Sequence, residues 1–161
     1  MAFATGERLG RVVATGAPVF LLGGAYLSQY GFGLVPCEMC WWQRYALFAA
    51  VVLGVSTWLK PVCGLLWLAA LALAASSAIG GFHAGVEYGW WEGLTACTIA
   101  PGTAGGDPLA AILDAKVVRC DVAPWSLAGI SLAGWNFLFS GAAALAIVLA
   151  LWTSRGSRER L

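Results

Sequence analysis

Charge is what this sequence has least of. Only 11% of its residues are Asp, Glu, Lys or Arg, where a soluble globular domain carries about a quarter. A chain so poor in charge and 60% hydrophobic cannot cover a water-facing surface, so a bilayer is its expected solvent. There is no basic stripe, so nothing points to nucleic acid, and a net charge of +1 says nothing by itself. Histidine occurs once, as His83. An even cysteine count is also missing: there are five, so one is left outside any pairing scheme. With 161 residues, a single domain over 1–161 is the default.

Long apolar runs are what the chain has instead. Four of them, at about 12–29, 42–59, 62–81 and 129–152, approach the ~20 residues a spanning helix needs. Within hydrocarbon each must be helical, because a helix satisfies its own backbone. The expected fold is therefore all-α, a four-transmembrane-helix bundle with a short outer loop near 30–41 and a long one near 82–128. Pro18 should bend the first span slightly. The third, GLLWLAALALAASSAIGG, is rich in small residues that let helix backbones approach closely. Arg8 and Arg11 precede the first span as they would in a signal peptide, but three spans follow and no clear cleavage site is seen. That reads as an uncleaved anchor. Arg8, Arg11, Lys60, Arg155, Arg158 and Arg160 fall on one side, and Arg44, Lys116 and Arg119 on the other. The excess of Lys and Arg places both termini in the cytoplasm.

This topology sorts the cysteines. Cys37 and Cys40 fall in the short outer loop, Cys97 and Cys120 in the long one, and Cys63 at the cytoplasmic turn. The four outer thiols lie in the compartment that permits disulfides, while Cys63 reads as a small apolar filler. In PCEMCWWQR the CxxC spacing permits a small reversible disulfide ring. Cys40 lies close to the start of the second span, where a helix N-terminus favours a thiolate. Arg44, one turn on along the same face, adds a cation, and Glu38 opposes it modestly. A span-end Arg also serves as a snorkelling anchor, and Trp41–Trp42 reads most simply as an interfacial belt. Two such pairs on one membrane face can exchange by thiolate attack.

The long loop suits exchange. TIAPGTAGGDP is rich in glycine, Asp107 fits an N-cap, and Pro108 fits the first helical position. Leu109, Ile112, Leu113 and Val117 would then share the apolar face of a short amphipathic helix on the membrane surface. That helix would hold Cys120 near the membrane and leave Cys97 on the looser arm. His83 ends the third span; it reads as an interfacial residue, or as a contact for a redox ligand or a proton shuttle. Glu87 is its same-face neighbour, read as a solvated loop acid.

CEMCWWQR before the second span, the Cys97/Cys120 pair and the four spans together resemble the DsbB family over nearly the whole chain. These are bacterial inner-membrane oxidoreductases that form periplasmic disulfides. The resemblance implies a four-helix bundle binding ubiquinone or menaquinone, with both redox loops periplasmic. It matches Cys37 and Cys40 to the pair that passes electrons to the quinone, Cys40 being the cysteine beside the ring. Arg44 matches the arginine that binds and polarises the quinone, and His83 falls loosely near a polar position of the family. Cys97 and Cys120 match the pair that oxidises a thioredoxin-like partner of the DsbA type, with Cys97 forming the mixed disulfide. Glu38 stands between the cysteines where the family is apolar.

Three rivals remain on sequence grounds. Vitamin K epoxide reductases share the parts, but their CxxC follows the loop cysteines, whereas here it precedes them. A membrane metal-binding protein would use Cys37, Cys40, Cys97 and Cys120 as a four-thiolate site. A structural membrane protein would carry two inert disulfides.

Overall fold

The computed structural model describes residues 5–94, 98–99 and 117–158. Four helices dominate: α1 (Thr5–Gly31), α2 (Glu38–Leu59), α3 (Cys63–Glu87) and α4 (Leu132–Arg158). Each reaches beyond the apolar run that predicted it, because polar residues flanking the run still complete helical turns. α1 continues through the buried Pro18. α3 gains six residues past Gly81 and so takes His83 and Glu87 into the helix rather than the loop. It ends at Glu87, and Gly89, just past the cap residue Tyr88, has a φ of +71° that suits the left-handed residue ending many helices. By length and composition α1, α3 and α4 can each cross a membrane; α2, with Gln43 and Arg44 near its start, is not among them.

Short connections make α1, α2 and α3 antiparallel neighbours in turn, and a long one leads from α3 to α4. The principal contacts are α1 with α2, α2 with α3, α3 with α4 and α4 with α1, while α1 and α3 touch sparingly across the middle. The core is built of small and medium side chains, among them Ala14, Ala50, Ala69, Leu73 and Ile147. Close backbone approach is required at two glycines. A Cβ on Gly54 would collide with the Ala14 carbonyl, and one on Gly80 would sit 3.0 Å from the Ala133 carbonyl oxygen. Many large apolar side chains point the other way. Phe20 of α1, Val52 of α2, Leu71 of α3 and Leu145 of α4 are 72%, 65%, 66% and 58% exposed. Small residues at the helix contacts with large apolar ones facing outward suit helices packed in lipid, and soluble monomers rarely expose so much apolar surface.

Two short ladders depart from an all-α chain. β1 (Thr98–Ile99) pairs antiparallel with β2 (Val117–Val118), so the residues just after Cys97 face those just before Cys120. Val117, expected on an amphipathic helix, therefore has an extended backbone, which suits its β-branched neighbour Val118. The rest of that expected helix lies outside the described residues. β3 (Ser126–Leu127) and β4 (Ile130–Ser131) form a hairpin where the fourth span was expected to begin. Its turn, Ala128–Gly129, has φ of +52° and +77°, the two positive values that a tight two-residue hairpin needs. Tyr88 ties the hairpin to the end of α3, donating to the Gly129 carbonyl (3.1 Å) and accepting from the Ser131 N–H (3.0 Å).

Candidate functional site

The site grows out of the first turn of α2. Cys37 is the N-cap, with extended backbone, and its sulfur accepts the Cys40 N–H at 3.4 Å. That places Cys40 one turn inside the helix. The CxxC spacing thus folds both sulfurs onto one edge of the helix end, and the Cys37 thiol donates to the Cys40 sulfur at 3.0 Å. Among the described residues the cysteines carry no disulfide. The bond to Cys40 and burial together push the Cys37 thiol up to about 12, against a smaller opposing pull from His83. In the reduced pair the proton therefore stays on Cys37, and the sulfur that accepts it is Cys40.

The long loop delivers Cys120 to the same place. Cys120 is buried with Cys37, Met39 and Val86. The Cys37 and Cys120 sulfurs and a His83 ring nitrogen lie within 4.8 Å of one another. Arg119 and Asp121, on either side of Cys120, pair with each other at 2.5 Å, which holds the Asp121 carboxyl below the usual carboxylate range. Cys97 lies outside the described residues, and so does any four-thiolate set that includes it. Cys63 is exposed near the α2–α3 turn, away from this cluster.

Arg44 is buried rather than snorkelling. It donates to Gln29 Oε1 at 2.5 Å and to the Ala25 carbonyl at 3.1 Å, both on α1. The Tyr26 and Trp41 rings lie 5.0 Å from its guanidinium carbon. Trp41 is thus a wall for the cation as well as an interfacial residue. The two bonds to α1 use two of the five guanidinium N–H donors.

Two cavities meet at Cys40. The first, about 370 Å³, is walled by α1, α2, α4 and the 124–127 segment, and carries Arg44, Gln43 and Asn136 among apolar and aromatic side chains such as Trp125 and Trp135. The second, about 350 Å³, holds Cys37, His83, Glu87 and Arg119. Cys40 lines both. His83 therefore stands on the Cys37 side, in the second cavity and not the one that Arg44 lines. Its Nε2 is 3.5 Å from the Cys37 sulfur and 3.7 Å from Glu87 Oε1. Glu87, expected to be solvated, has a side chain only 2% exposed.

Sequence reasoning passed over Gln43, Asn136 and Ser76, which form a buried polar chain. Asn136 Nδ2 donates to Gln43 Oε1 (2.8 Å) and to the Ser76 carbonyl (3.2 Å), and Gln43 reaches His83 Nδ1 at 2.9 Å. The available signal was an amide inside an apolar run, where a polar residue is costly and so has a purpose.

A helical bundle with an apolar exterior and a CxxC edge buried against an apolar cavity defines a class: multi-pass membrane proteins built for thiol–disulfide chemistry. Comparison with known proteins makes this specific. The family model described as disulfide bond formation protein DsbB matches residues 7–150, and the chain belongs to that family. It is 31% identical to a disulfide bond formation protein B of Verminephrobacter eiseniae, over 97% of this chain and 92% of the relative. The corresponding protein of an Azoarcus species is 32% identical over 85% of each chain. That of Pasteurella multocida is 28% identical over 80% of this chain and 71% of its own. No solved structure matches.

Proposed function

We propose that this protein is a quinone-dependent thiol oxidoreductase of the bacterial inner membrane. It reoxidises a periplasmic thioredoxin-like protein of the DsbA type and passes the electrons to the membrane quinone pool. The observation that carries this reading is the position of Cys40. It lines both the cavity that holds Cys37 and His83 and the apolar cavity that holds a buried cation.

The first cavity fits a quinone head group. Its volume lies in the range of small-molecule sites, which are mostly apolar with a few placed polar groups. Arg44, fixed to α1 and flanked by two rings, offers its remaining N–H donors to a carbonyl oxygen, and a preorganised donor is worth most in a dry site. A bound quinone supplies an acceptor for two electrons and two protons. The chain's own part is sulfur exchange and placement. The reduced partner attacks Cys97 of a Cys97–Cys120 disulfide and frees the Cys120 thiolate. That thiolate attacks Cys37, within reach at the second cavity, and the electron pair of the Cys37–Cys40 bond leaves on Cys40, at the wall of the first cavity. The four helices then stand as four spans with both termini cytoplasmic and the cysteine loops periplasmic.

Quinone absorbance tests this. Purified protein in detergent is mixed with a short-chain ubiquinone or menaquinone and a reduced thioredoxin-like periplasmic protein. Wild type should consume quinone in step with partner oxidation, and Cys40→Ser and Cys97→Ser should not. Quinone loss at the wild-type rate in Cys40→Ser would sink the proposed order of transfer.

A further inference from the structure

His83 faces a sulfur with one nitrogen and an amide with the other, so which nitrogen holds the proton decides what it does. The surrounding bonds answer this. Asn136 Nδ2 lies 3.2 Å from the Ser76 carbonyl oxygen, which only an N–H can satisfy, so the Asn136 amide is oriented. The same nitrogen meets Gln43 at 2.8 Å, so the Gln43 atom there is the oxygen. Gln43 Nε2 then faces the Met39 carbonyl (3.3 Å) and His83 Nδ1 (2.9 Å). The two orientations agree, since turning either amide would set oxygen against oxygen. Ser140 closes the chain by donating to Asn136 Oδ1 at 2.9 Å. His83 Nδ1 is thus an acceptor, and a neutral ring with an acceptor Nδ1 carries its hydrogen on Nε2. That N–H lies 3.5 Å from the Cys37 sulfur and 3.7 Å from Glu87 Oε1.

We propose that His83 is a locked hydrogen-bond donor to the Cys37 sulfur, its tautomer held by the Asn136–Gln43 amide chain, and that it stabilises the thiolate when Cys37 leaves a disulfide. The inference rests on the function proposed above for its purpose, but the lock itself does not. The step served is the opening of a Cys37–Cys120 disulfide by an incoming thiolate. A new bond forms to the Cys120 sulfur, the Cys120–Cys37 bond breaks, and its electron pair leaves on Cys37. No proton is transferred; the Nε2–H is shared with the sulfur as charge arrives. Glu87 Oε1, at 3.7 Å, is too far to hold that N–H in a hydrogen bond and faces it only as a nearby carboxyl group. His83 then acts on the cysteine and not on the quinone, in accord with its absence from the Arg44 cavity. It touches a reacting atom and is a catalytic residue; Gln43 and Asn136 are positioning residues.

Because the chain has one histidine, selective ¹⁵N-histidine labelling reports on this ring alone. The spectrum of the full chain in detergent at neutral pH should show a protonated Nε2 and an unprotonated Nδ1. A proton on Nδ1, alone or together with Nε2, overturns the lock. The role is read from Cys37 alkylation, resolved by mass spectrometry on the fully reduced chain in a Cys40→Ser background. A hydrogen bond to a charged sulfur changes the ionised fraction by about one to two orders of magnitude. A more basic thiolate is more nucleophilic, which takes back about half of that on a logarithmic scale. His83→Leu should therefore slow Cys37 alkylation by about three- to tenfold. His83→Gln, whose amide N–H stands in for Nε2–H, should restore most of the rate. Equal rates for Leu and Gln, or faster labelling with Leu, would refute the donor role. Neither readout uses quinone, so failure of the proposed function and failure of this inference are separable.

Discussion

Replacing Asn136 by Leu removes the centre of the buried amide chain. The residue is 9% exposed and joins α4 to α2 and α3 through bonds of 2.8, 3.2 and 3.1 Å. Not all of these count equally. Ser140 can turn its hydroxyl to a carbonyl of its own helix, and Ser76 keeps its bond to the Gln43 carbonyl at 3.2 Å. Gln43 Oε1 is the atom left without a donor. An orphaned buried acceptor costs about 1–3 kcal/mol, whereas interhelical hydrogen bonds in a membrane average about 0.6 kcal/mol. The expected loss is about 1–3 kcal/mol, read as a shift in reversible unfolding by a denaturing detergent. Ser28→Ala, which removes an exposed bond within α1, is the control and should change little. A loss for Asn136→Leu no larger than the control would show that the chain is not stabilising and would undercut its use as a scaffold for His83.

Gly80→Val should cost about 1–3 kcal/mol in the same unfolding assay, because its side chain enters the α3–α4 contact beside Ala133. Gln29→Leu takes one of two anchors from Arg44 and should raise the KM for quinone by about three- to tenfold with kcat little changed, since the charge stays while its aim is lost. In Cys40→Ser, non-reducing peptide mapping after mild oxidation should find Cys37 joined to Cys120, because their sulfurs already lie within 4.8 Å. The raised Cys37 pKa favours the thiol in the folded state, so its contribution to stability is present below the ordinary value of 9.0 and lost as pH rises toward about 12. The reduced protein should therefore lose stability to unfolding over that window, and a Cys37→Ala variant should lose less.

The place of Cys37 and Cys40 at the start of α2 was legible because spacing is a local feature of the chain: a CxxC beside an apolar run has few places to go. The helix ends were less so. Gly80–Gly81 reads as the end of the third span, yet it is a packing device. Gly80 lets α3 approach Ala133 of α4, and the helix runs on through His83 and Glu87. Glu87 thus reads as a solvated acid while the longer helix buries its side chain. Gln43 and Asn136 were passed over because a window of average hydropathy dilutes one amide among many apolar residues. Their pairing, across 93 positions of sequence, is a tertiary fact. The β3–β4 hairpin hid in SLAGIS because two-residue strands leave too short an alternation to read, though Ala128–Gly129 is turn-like. The orientation of Arg44 was partly visible: its turn from Cys40 was right, while its anchors Gln29 and Ala25 needed the fold.

In the proposed function the Cys37–Cys40 pair alone discharges electrons into a quinone at the Cys40 cavity. The most direct measurement is a single turnover without partner protein, using a Cys97→Ser, Cys120→Ser double variant reduced beforehand and freed of reductant. Quinone absorbance and the thiol state of Cys37 and Cys40 are followed together. One quinone should be consumed per chain, with a Cys37–Cys40 disulfide forming at the same rate. A reduced pair that stays reduced in the presence of both ubiquinone and menaquinone would contradict it.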